Sequence, residues 1–165
     1  MIVLGIDPGL GTTGFAVVKE EKGQFALIYS KAINTPSSLS SSLRLLKLHR
    51  QITSLIDAHR PEVIALETLF FGTNVTNAFS VGQARGVVLL AVAQAKVSAV
   101  EYHPNQVKIA LTGNGHSEKG QVSRMVTRIL GLSKNLTPDD VSDAAAIALT
   151  HCFSYKLSRL KLAKS

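Results

Sequence analysis

Two acidic residues stand where short apolar segments end, and they restrict the folds open to this chain. Asp7 follows the apolar segment 1–6 and precedes Pro8, and Glu67 follows the apolar segment 63–66. Such segments are typical of strands buried in an α/β sheet, where an unpaired carboxylate is costly to bury. If the two strands are parallel neighbours, both acids lie at the carboxyl edge of the sheet, where open α/β sheets bind ligands. The neighbouring sequence holds no rich set of Lys or Arg, so we expect a divalent metal ion beside them.

A third acidic segment begins the last predicted helix, for which Thr137 is the predicted N-cap. Asp140 and Asp143 are three residues apart and share one face of that helix, ahead of a small-residue segment, 144–149, that suits close packing on a sheet. Four carboxylates would then meet in one pocket, and an all-oxygen set favours Mg²⁺ or Mn²⁺ over zinc. We interpret Asp139 instead as a charge favoured by the helix N-terminus.

Each acid also has a simpler interpretation when it is taken alone. Asp7 and Glu67 would serve equally well as solvated residues at a sheet edge, and Asp140 as a helix N-terminal charge. What favours a metal site is that all of them occur in contexts that point to one pocket.

Charge and composition restrict the partners of such a pocket. The 165 residues include 18 Lys and Arg against 11 Asp and Glu, a net charge of +7, which favours a phosphate polymer over a small neutral substrate. The length fits one domain, 1–165, with a basic and partly frayed end at 156–165. No segment has the apolar length of a membrane span, and the single cysteine, Cys152, excludes an internal disulfide. We expect a cytoplasmic protein.

The remaining pattern predicts a mixed sheet flanked by helices. Strands are predicted at 14–18 and 25–29 around a turn, and a fifth at 96–102. Between them lies a helix preceded by a serine-rich cap and ended by Pro61. That helix carries Leu43, Leu46, Ile52 and Ile56 at helical spacing, with Arg44, Lys47 and Arg50 outward.

The segment 74–96 is apolar on all sides of a predicted helix, which indicates burial on more than one side. The sheet covers one side only, so a second subunit is expected to cover the other, and a two-fold dimer would use the same patch on both chains. A wholly internal helix is the alternative.

A glycine-bracketed loop, 112–116, separates two basic helices. Its glycines would let backbone amides approach phosphate, and Lys108, Lys119 and Arg124 flank it. An ordinary flexible connection is the alternative for the loop taken alone.

Motifs spread along the chain resemble one family. They are the segment 4–14, Glu67 with Phe70 three residues later, the segment from Asn74 through 82–86, the helix start 104–108, and 140–145. With this spacing, the chain resembles the RuvC family of bacterial Holliday-junction resolvases over nearly its whole length. Two positions depart from the family's usual residues, Gly11 and Thr73, and neither belongs to the acidic set.

The resemblance implies an α/β RNase H-like fold and a metal-dependent endonuclease. It implies paired symmetric nicks that leave 5′-phosphate and 3′-hydroxyl ends, two Mg²⁺ ions per subunit with Mn²⁺ as a possible substitute, a homodimer, and the RuvA–RuvB branch-migration complex as a partner. Its catalytic and metal-binding residues would be Asp7, Glu67, Asp140 and Asp143. Its DNA-binding residues would be Phe70, which would open a base step, together with Lys108, Lys119 and Arg124.

Two other classes of protein share part of this pattern. The segment 5–14 is also similar to the first phosphate motif of the actin, Hsp70 and sugar-kinase ATPases, but those proteins need a second such domain, and 165 residues cannot hold both. A non-enzymatic DNA-binding module would explain the basic surface but not the four acids.

Overall fold

The structure is a computed structural model that describes residues 1–68 and 75–162, without the side chains of residues 75–78 and 156–162. A three-strand meander opens the fold, and helices and strands alternate after it. The elements are β1 (Ile2–Asp7), β2 (Thr12–Glu21), β3 (Gln24–Asn34), α1 (Ser41–His59), β4 (Val63–Glu67), α2 (Val75–Ala95), β5 (Ser98–Tyr102), α3 (Pro104–Thr112), α4 (Lys119–Ile129) and α5 (Asp139–Leu162).

The described strands form one mixed sheet in the order β3-β2-β1-β4-β5. The first three strands are antiparallel neighbours, whereas β4 runs parallel to β1 on one side and to β5 on the other. Strand β1 pairs with β4 from Val3 with Val63 through Ile6 with Leu66. Asp7 and Glu67 therefore follow at equivalent positions on the same sheet edge, as the sequence predicts.

Alternate strand residues face two helical layers. Leu4 and Ile6 of β1 pack with buried side chains of α1 and α2. Val3, on the opposite face, packs with buried side chains of α3, α4 and α5. All three are fully buried, and burial of such a side chain is worth about 1.5–3 kcal/mol. The mixed sheet between two helical layers confirms the predicted architecture.

Two glycines let α5 approach the sheet unusually closely. A Cβ atom added at Gly5 of β1 would overlap the carbonyl oxygen of Ala144, and one added at Gly14 of β2 would overlap that of Asp140. Both obstacles are backbone atoms, which do not rotate away. The absence of two side chains on the sheet thus sets how near the first turns of α5 lie to Asp7.

Helix α1 differs from its predicted orientation. Its buried face consists of Leu48, Ile52, Leu55 and Ile56. Leu43 and Leu46 lie on the opposite side of the helix at 100° per residue and are 51% and 43% exposed, so their predicted burial is wrong. Arg44 is on the inward side, where it donates to the carbonyl oxygen of Leu10.

The predicted N-terminal cap is correct for α1 and wrong for α5. Ser40 caps α1 by accepting a hydrogen bond from the Leu43 amide, as the serine-rich segment predicts. Helix α5 begins at Asp139, and the Pro138 carbonyl accepts from the Val141 amide at 3.0 Å. Pro138 therefore precedes the helix, and the predicted cap at Thr137 lies one residue too early. In the described part of the chain, none of the helices combines the length and hydrophobicity that crossing a bilayer requires.

Candidate active site

The four predicted acids come from three elements that meet at the carboxyl edge of the sheet. Asp7 ends β1, Glu67 ends the neighbouring β4, and Asp140 and Asp143 lie in the first turns of α5. All four side chains are partly buried. The structure thus brings together residues that are up to 136 positions apart in the chain.

A cavity of about 210 Å³ opens beside these acids. Glu67 and Asp143 line it, together with Lys108 of α3 and Lys119 of α4. The sequence near Asp7 and Glu67 holds no rich set of Lys or Arg, but the fold supplies two lysines from distant helices. Neighbours in sequence alone do not reveal these two cations.

Lys119 pairs directly with the acids of α5. Its Nζ lies 2.8 Å from Asp143 Oδ2 and 3.5 Å from Asp139 Oδ2. Burial lowers the pKa of Lys119, but its hydrogen bond to Asp143 and the charges of both acids outweigh burial and raise that pKa. For Asp143 the balance is the reverse, because burial raises the pKa of its carboxyl and Lys119 only partly opposes that effect. Asp139 itself is 78% exposed in its side chain, which agrees with its exclusion from the predicted site.

Asp7 carries the strongest electrostatic strain of the set. Burial, followed by the charges of Asp143, Glu67 and Asp140, raises its pKa from the usual 3.8 to about 7. Burial and the charge of Asp143 also raise the pKa of Glu67. Three carboxyl groups therefore hold protons more tightly than usual, as expected for several acids that share a pocket without enough cations.

The turn after Asp7 is held by contacts from its own neighbourhood and from α1. The Thr13 hydroxyl donates to the Gly9 carbonyl at 2.6 Å, and the Thr35 hydroxyl donates to the Leu10 carbonyl. Arg44 donates to the same carbonyl at 3.0 Å and to the Thr35 hydroxyl at 3.1 Å. The sequence did not predict these hydrogen bonds, because the position of an arginine early in a helix does not reveal which group it will bind.

The backbone at Glu67 is held from more distant elements. Arg85 of α2 donates to the Glu67 carbonyl at 2.9 Å and forms an ion pair with Glu101 of β5. The amide of the next residue, Thr68, donates to the Tyr102 carbonyl at 2.9 Å. A signal for the first contact exists in the sequence, because Arg85 is the only charged residue between 75 and 95.

The chain as a whole is similar to known proteins. The family model described as crossover junction endodeoxyribonuclease RuvC matches residues 3–151. The chain belongs to the RuvC family. It is accordingly an endodeoxyribonuclease of that family, which agrees with the resemblance in its motifs and not with an ATPase or a non-enzymatic DNA-binding module.

Individual RuvC relatives cover nearly the whole chain. The crossover junction endodeoxyribonuclease RuvC of Halothermothrix orenii is 45% identical over 96% of this chain and 96% of its own length. That of Rubrobacter xylanophilus is 47% identical over 95% of this chain and 88% of its own. These matches confirm the family that the motifs predict.

Solved structures show the same fold. Thermus thermophilus RuvC superposes with a TM-score of 0.90 at 38% identity, covering 96% of this chain and 97% of that one. The same protein in complex with a Holliday junction substrate gives 0.88 at 35% identity, covering 95% and 96%. The yeast mitochondrial Holliday junction resolvase gives 0.69 at 15% identity, covering 95% and 80%, which extends the likeness of fold alone. The predicted RNase H-like fold is confirmed.

The donor set of this RuvC-family site suits a divalent cation, although the acids do not form a finished ligand cluster. Among residues 1–68 and 75–162, no three His, Cys, Asp or Glu side chains converge as a preformed metal-binding group. Asp143 is instead paired with Lys119. Burial and then the charges of neighbouring acids raise the pKa of Asp7, and carboxylate oxygens are the donors that Mg²⁺ and Mn²⁺ prefer.

The predicted DNA-binding residues separate into three groups. Lys108 and Lys119 line the acidic cavity. Arg124 does not, since it lines a second groove of about 500 Å³ with Arg128. Phe70, predicted to open base steps, lies outside the described residues.

Proposed function

We propose that this protein resolves Holliday junctions by metal-dependent hydrolysis, cutting two opposing strands symmetrically and leaving 5′-phosphate and 3′-hydroxyl ends. The observation that carries the proposal is the meeting of Asp7, Glu67, Asp140 and Asp143 at one sheet edge, beside a cavity that Lys108 and Lys119 also line. Acids there suit metal binding and lysines suit phosphate. A RuvC relative solved with a junction substrate supports DNA of this form as the substrate.

The four carboxylates would hold the metal, for which we propose two Mg²⁺ ions per subunit, with Mn²⁺ as a substitute. A bound pair of such ions supplies activation of water and stabilisation of the charge on the leaving oxygen. The protein's own part is to hold the acids close together at one edge of the sheet. Glu67 and Asp143 lie on the cavity wall, and Asp7 lies at the end of β1.

Lys108 and Lys119 would contact the phosphate that is cut. Both reach the cavity from outside the sheet, on helices that begin at Pro104 and Lys119. Lys119 is paired with Asp143 in this structure. With a cation held by the acids, the ammonium of Lys119 would no longer be needed to neutralise Asp143 and would be free for phosphate.

Arg124 and Arg128 would hold DNA away from the cut. They lie one turn apart on the exposed side of α4 and share their groove with polar Thr112, Asn114 and Ser117. Side chains of this kind contact phosphates without reading sequence. A four-way junction extends well beyond one phosphate, so this groove suits a neighbouring stretch of backbone.

The junction has two-fold symmetry, and we propose a two-fold homodimer that places one site on each opposing strand. Helix α2 offers the surface, because Phe79, Leu89 and Leu90 are exposed on it at 69%, 37% and 52%. Large apolar side chains that stay exposed on one helix favour it as an interaction surface. With chromosomal junctions as substrate, we place the activity in the cytoplasm, with the RuvA–RuvB complex as partner.

Cleavage of a synthetic four-way junction, labelled on each strand in turn, tests the proposal. Asp7→Asn, Glu67→Gln, Asp140→Asn and Asp143→Asn should each lower the cleavage rate by about 10³-fold or more. Junction binding should persist or tighten, because removal of negative charge beside DNA does not weaken attraction. Asp139→Asn, on the same helix, is the matched control and should cut at close to the wild-type rate. Near-normal cutting by Asp7→Asn or Glu67→Gln would overturn the proposed site.

A further inference from the structure

Helix α2 carries one charge, and that charge is directed inward. Arg85 is the only Asp, Glu, Lys or Arg between residues 75 and 95, and its side chain is only 14% exposed. Burial of a guanidinium in an apolar layer is costly unless it is paired and hydrogen-bonded. Its two partners among the described residues therefore indicate what the residue is for.

Those partners lie on two neighbouring strands. One guanidinium nitrogen, Nη2, forms an ion pair with Glu101 of β5, and the other, Nη1, donates to the main-chain carbonyl of Glu67 on β4 at 2.9 Å. Leu66 and Glu101 are direct partners in the parallel ladder. The planar fork of one arginine thus ties the last residue of β4 to β5 and to α2.

The hydrogen bond from Arg85 reaches the end of β4 from the side of the sheet opposite the acids. Alternate residues of β4 face opposite layers: Leu66 packs with α1 and α2, whereas the side chain of Glu67 lines the cavity with Asp143 of α5. Arg85 reaches the carbonyl of Glu67 from α2. The carboxylate is therefore free to face the cavity while its own backbone is held from behind.

Within residues 1–68 and 75–162, the neighbouring strands give this backbone little other support. On the β5 side, the Thr68 amide donates to the Tyr102 carbonyl at 2.9 Å. On the β1 side, the residue after Asp7 is Pro8, which has no N–H to donate to the ladder. The carbonyl that Arg85 binds lies between these two strand ends, where regular sheet pairing stops.

We propose that Arg85 is a positioning residue for Glu67, fixing the backbone from which this acid projects, and that Glu101 orients Arg85. The inference rests on the proposed function, in which Glu67 belongs to the active site. An arginine suits the task because its rigid fork meets two acceptors at once, whereas the single ammonium of a lysine is a point charge on a flexible stem.

Single-turnover cleavage at saturating enzyme, together with junction binding, tests the role. Arg85→Met should lower the cleavage rate by about 10²-fold, as expected when an active-site group is misplaced by about 1 Å. Its junction Kd should change no more than that of Lys19→Met, which removes one exposed positive charge at the far end of β2. Arg85→Lys should retain part of the rate, and Glu101→Gln should lower it less than Arg85→Met does.

A double-mutant cycle distinguishes positioning from general support of the fold. When Arg85→Met is combined with Glu67→Asp, the two losses in rate should be far less than multiplicative, because both changes act on one carboxylate. Multiplicative losses would overturn the inference. So would a wild-type rate for both Arg85→Met and Arg85→Lys, or a loss of rate matched by an equal loss of affinity.

The protein's own activity separates this test from that of the proposed function. If the unaltered protein does not cut the junction, or Glu67→Gln cuts it normally, the proposed site fails and the inference falls with it. If both behave as proposed while the Arg85 and Glu101 variants cut at the wild-type rate, the inference alone is wrong. Should Arg85→Met not fold, Arg85→Lys and Glu101→Gln decide the matter by the same comparison of rate with affinity.

Discussion

Two helices of this protein look alike in sequence and are used in opposite ways. Both α2 and α5 carry apolar residues around much of their circumference. The central part of α5 is enclosed: every residue from Ala144 to Leu149 is at most 1% exposed, with the sheet on one side and α3 and α4 on others. Helix α2 buries Ala84, Val88, Ala91 and Val92 but leaves Phe79 69% exposed. The central residues of α5 are covered within the chain, whereas α2 keeps exposed apolar side chains, on which we propose that a second copy packs.

The difference decides what each helix contributes to function. Helix α5 lies close to Gly5 and Gly14, and its carboxylates add to the effect of burial in raising the pKa of Asp7. Among the described side chains of α2, Arg85 reaches the backbone of Glu67. We propose that the exposed outer face of α2 serves assembly.

The largest expected effect comes from the burial of Asp7, to which the charges of Asp143, Glu67 and Asp140 add. A carboxyl with a pKa near 7 in the folded protein and 3.8 otherwise binds a proton more tightly when folded, so stability falls as pH rises from about 4 to 7. Asp7→Asn removes that penalty. Without divalent ions, it should raise the free energy of unfolding by up to about 4 kcal/mol at pH 8 and by little at pH 4.

Chemical denaturation in EDTA at the two pH values measures this effect. Asp139→Asn, which removes an exposed acid from the same helix, should show no comparable gain at pH 8. Added Mg²⁺ should reduce the advantage of Asp7→Asn, because a bound cation relieves the same repulsion. An equal effect of Asp7→Asn at both pH values would contradict the raised pKa of Asp7 in the folded protein.

The next prediction concerns the close approach of α5 to the sheet. Gly14→Ala places a Cβ against the backbone of Asp140, so the helix or the strand must move. We expect a loss of about 3 kcal/mol in stability and a cleavage rate lowered by about 10²-fold, since Asp140 is displaced. Thermal unfolding measures the loss in stability, and junction cleavage measures the loss in rate. Wild-type values of both would show that α5 can move away from Gly14 at little cost.

Much of this site was predictable, and what was not has a physical reason. Asp7, Glu67, Asp140 and Asp143 were predicted because acids at strand ends and in a first helical turn are local patterns. The pairing of Lys119 with Asp143 was missed, because it joins residues on different helices and depends on how those helices pack.

The burial of helix faces shows the same limit. The positions of Leu43 and Leu46 in α1 were predicted from spacing alone, and both are exposed, because several leucines in this helix allow more than one apolar stripe. Spacing likewise predicts apolar groups around α2 without showing which of them the same chain covers. The catalytic and metal-binding roles of the acids stay a prediction for the variants above.

A substitution can alter the exposed side of α2 without changing its buried side. Phe79→Lys should weaken dimerisation by about 100-fold or more in Kd, about 2.7 kcal/mol, because a charge would be buried between the subunits. Ile28→Lys is the control, since Ile28 is also half exposed but lies on β3 and not on α2. Sedimentation at micromolar concentration measures the shift. A wild-type chain that sediments as a monomer, alone and on junction DNA, would contradict the dimer.

The smallest change separates the free face of α2 from the packed face of α5. Gly86 is exposed in α2, and a Cβ added there would meet nothing within 4 Å, in contrast to Gly14. In an isolated subunit, Gly86→Ala should therefore stabilise the fold by about 1 kcal/mol, the difference in helix propensity between the two residues.

If the second copy packs on this face, the added methyl group is buried between subunits, where even one extra methylene is felt. Unfolding measured on the Phe79→Lys monomer with and without Gly86→Ala gives the first effect, and the dimer dissociation constant of Gly86→Ala alone gives the second. A gain in the monomer with an unchanged dissociation constant would move the dimer contact away from Gly86, whereas a loss in the monomer would show that this side of α2 is packed within the chain.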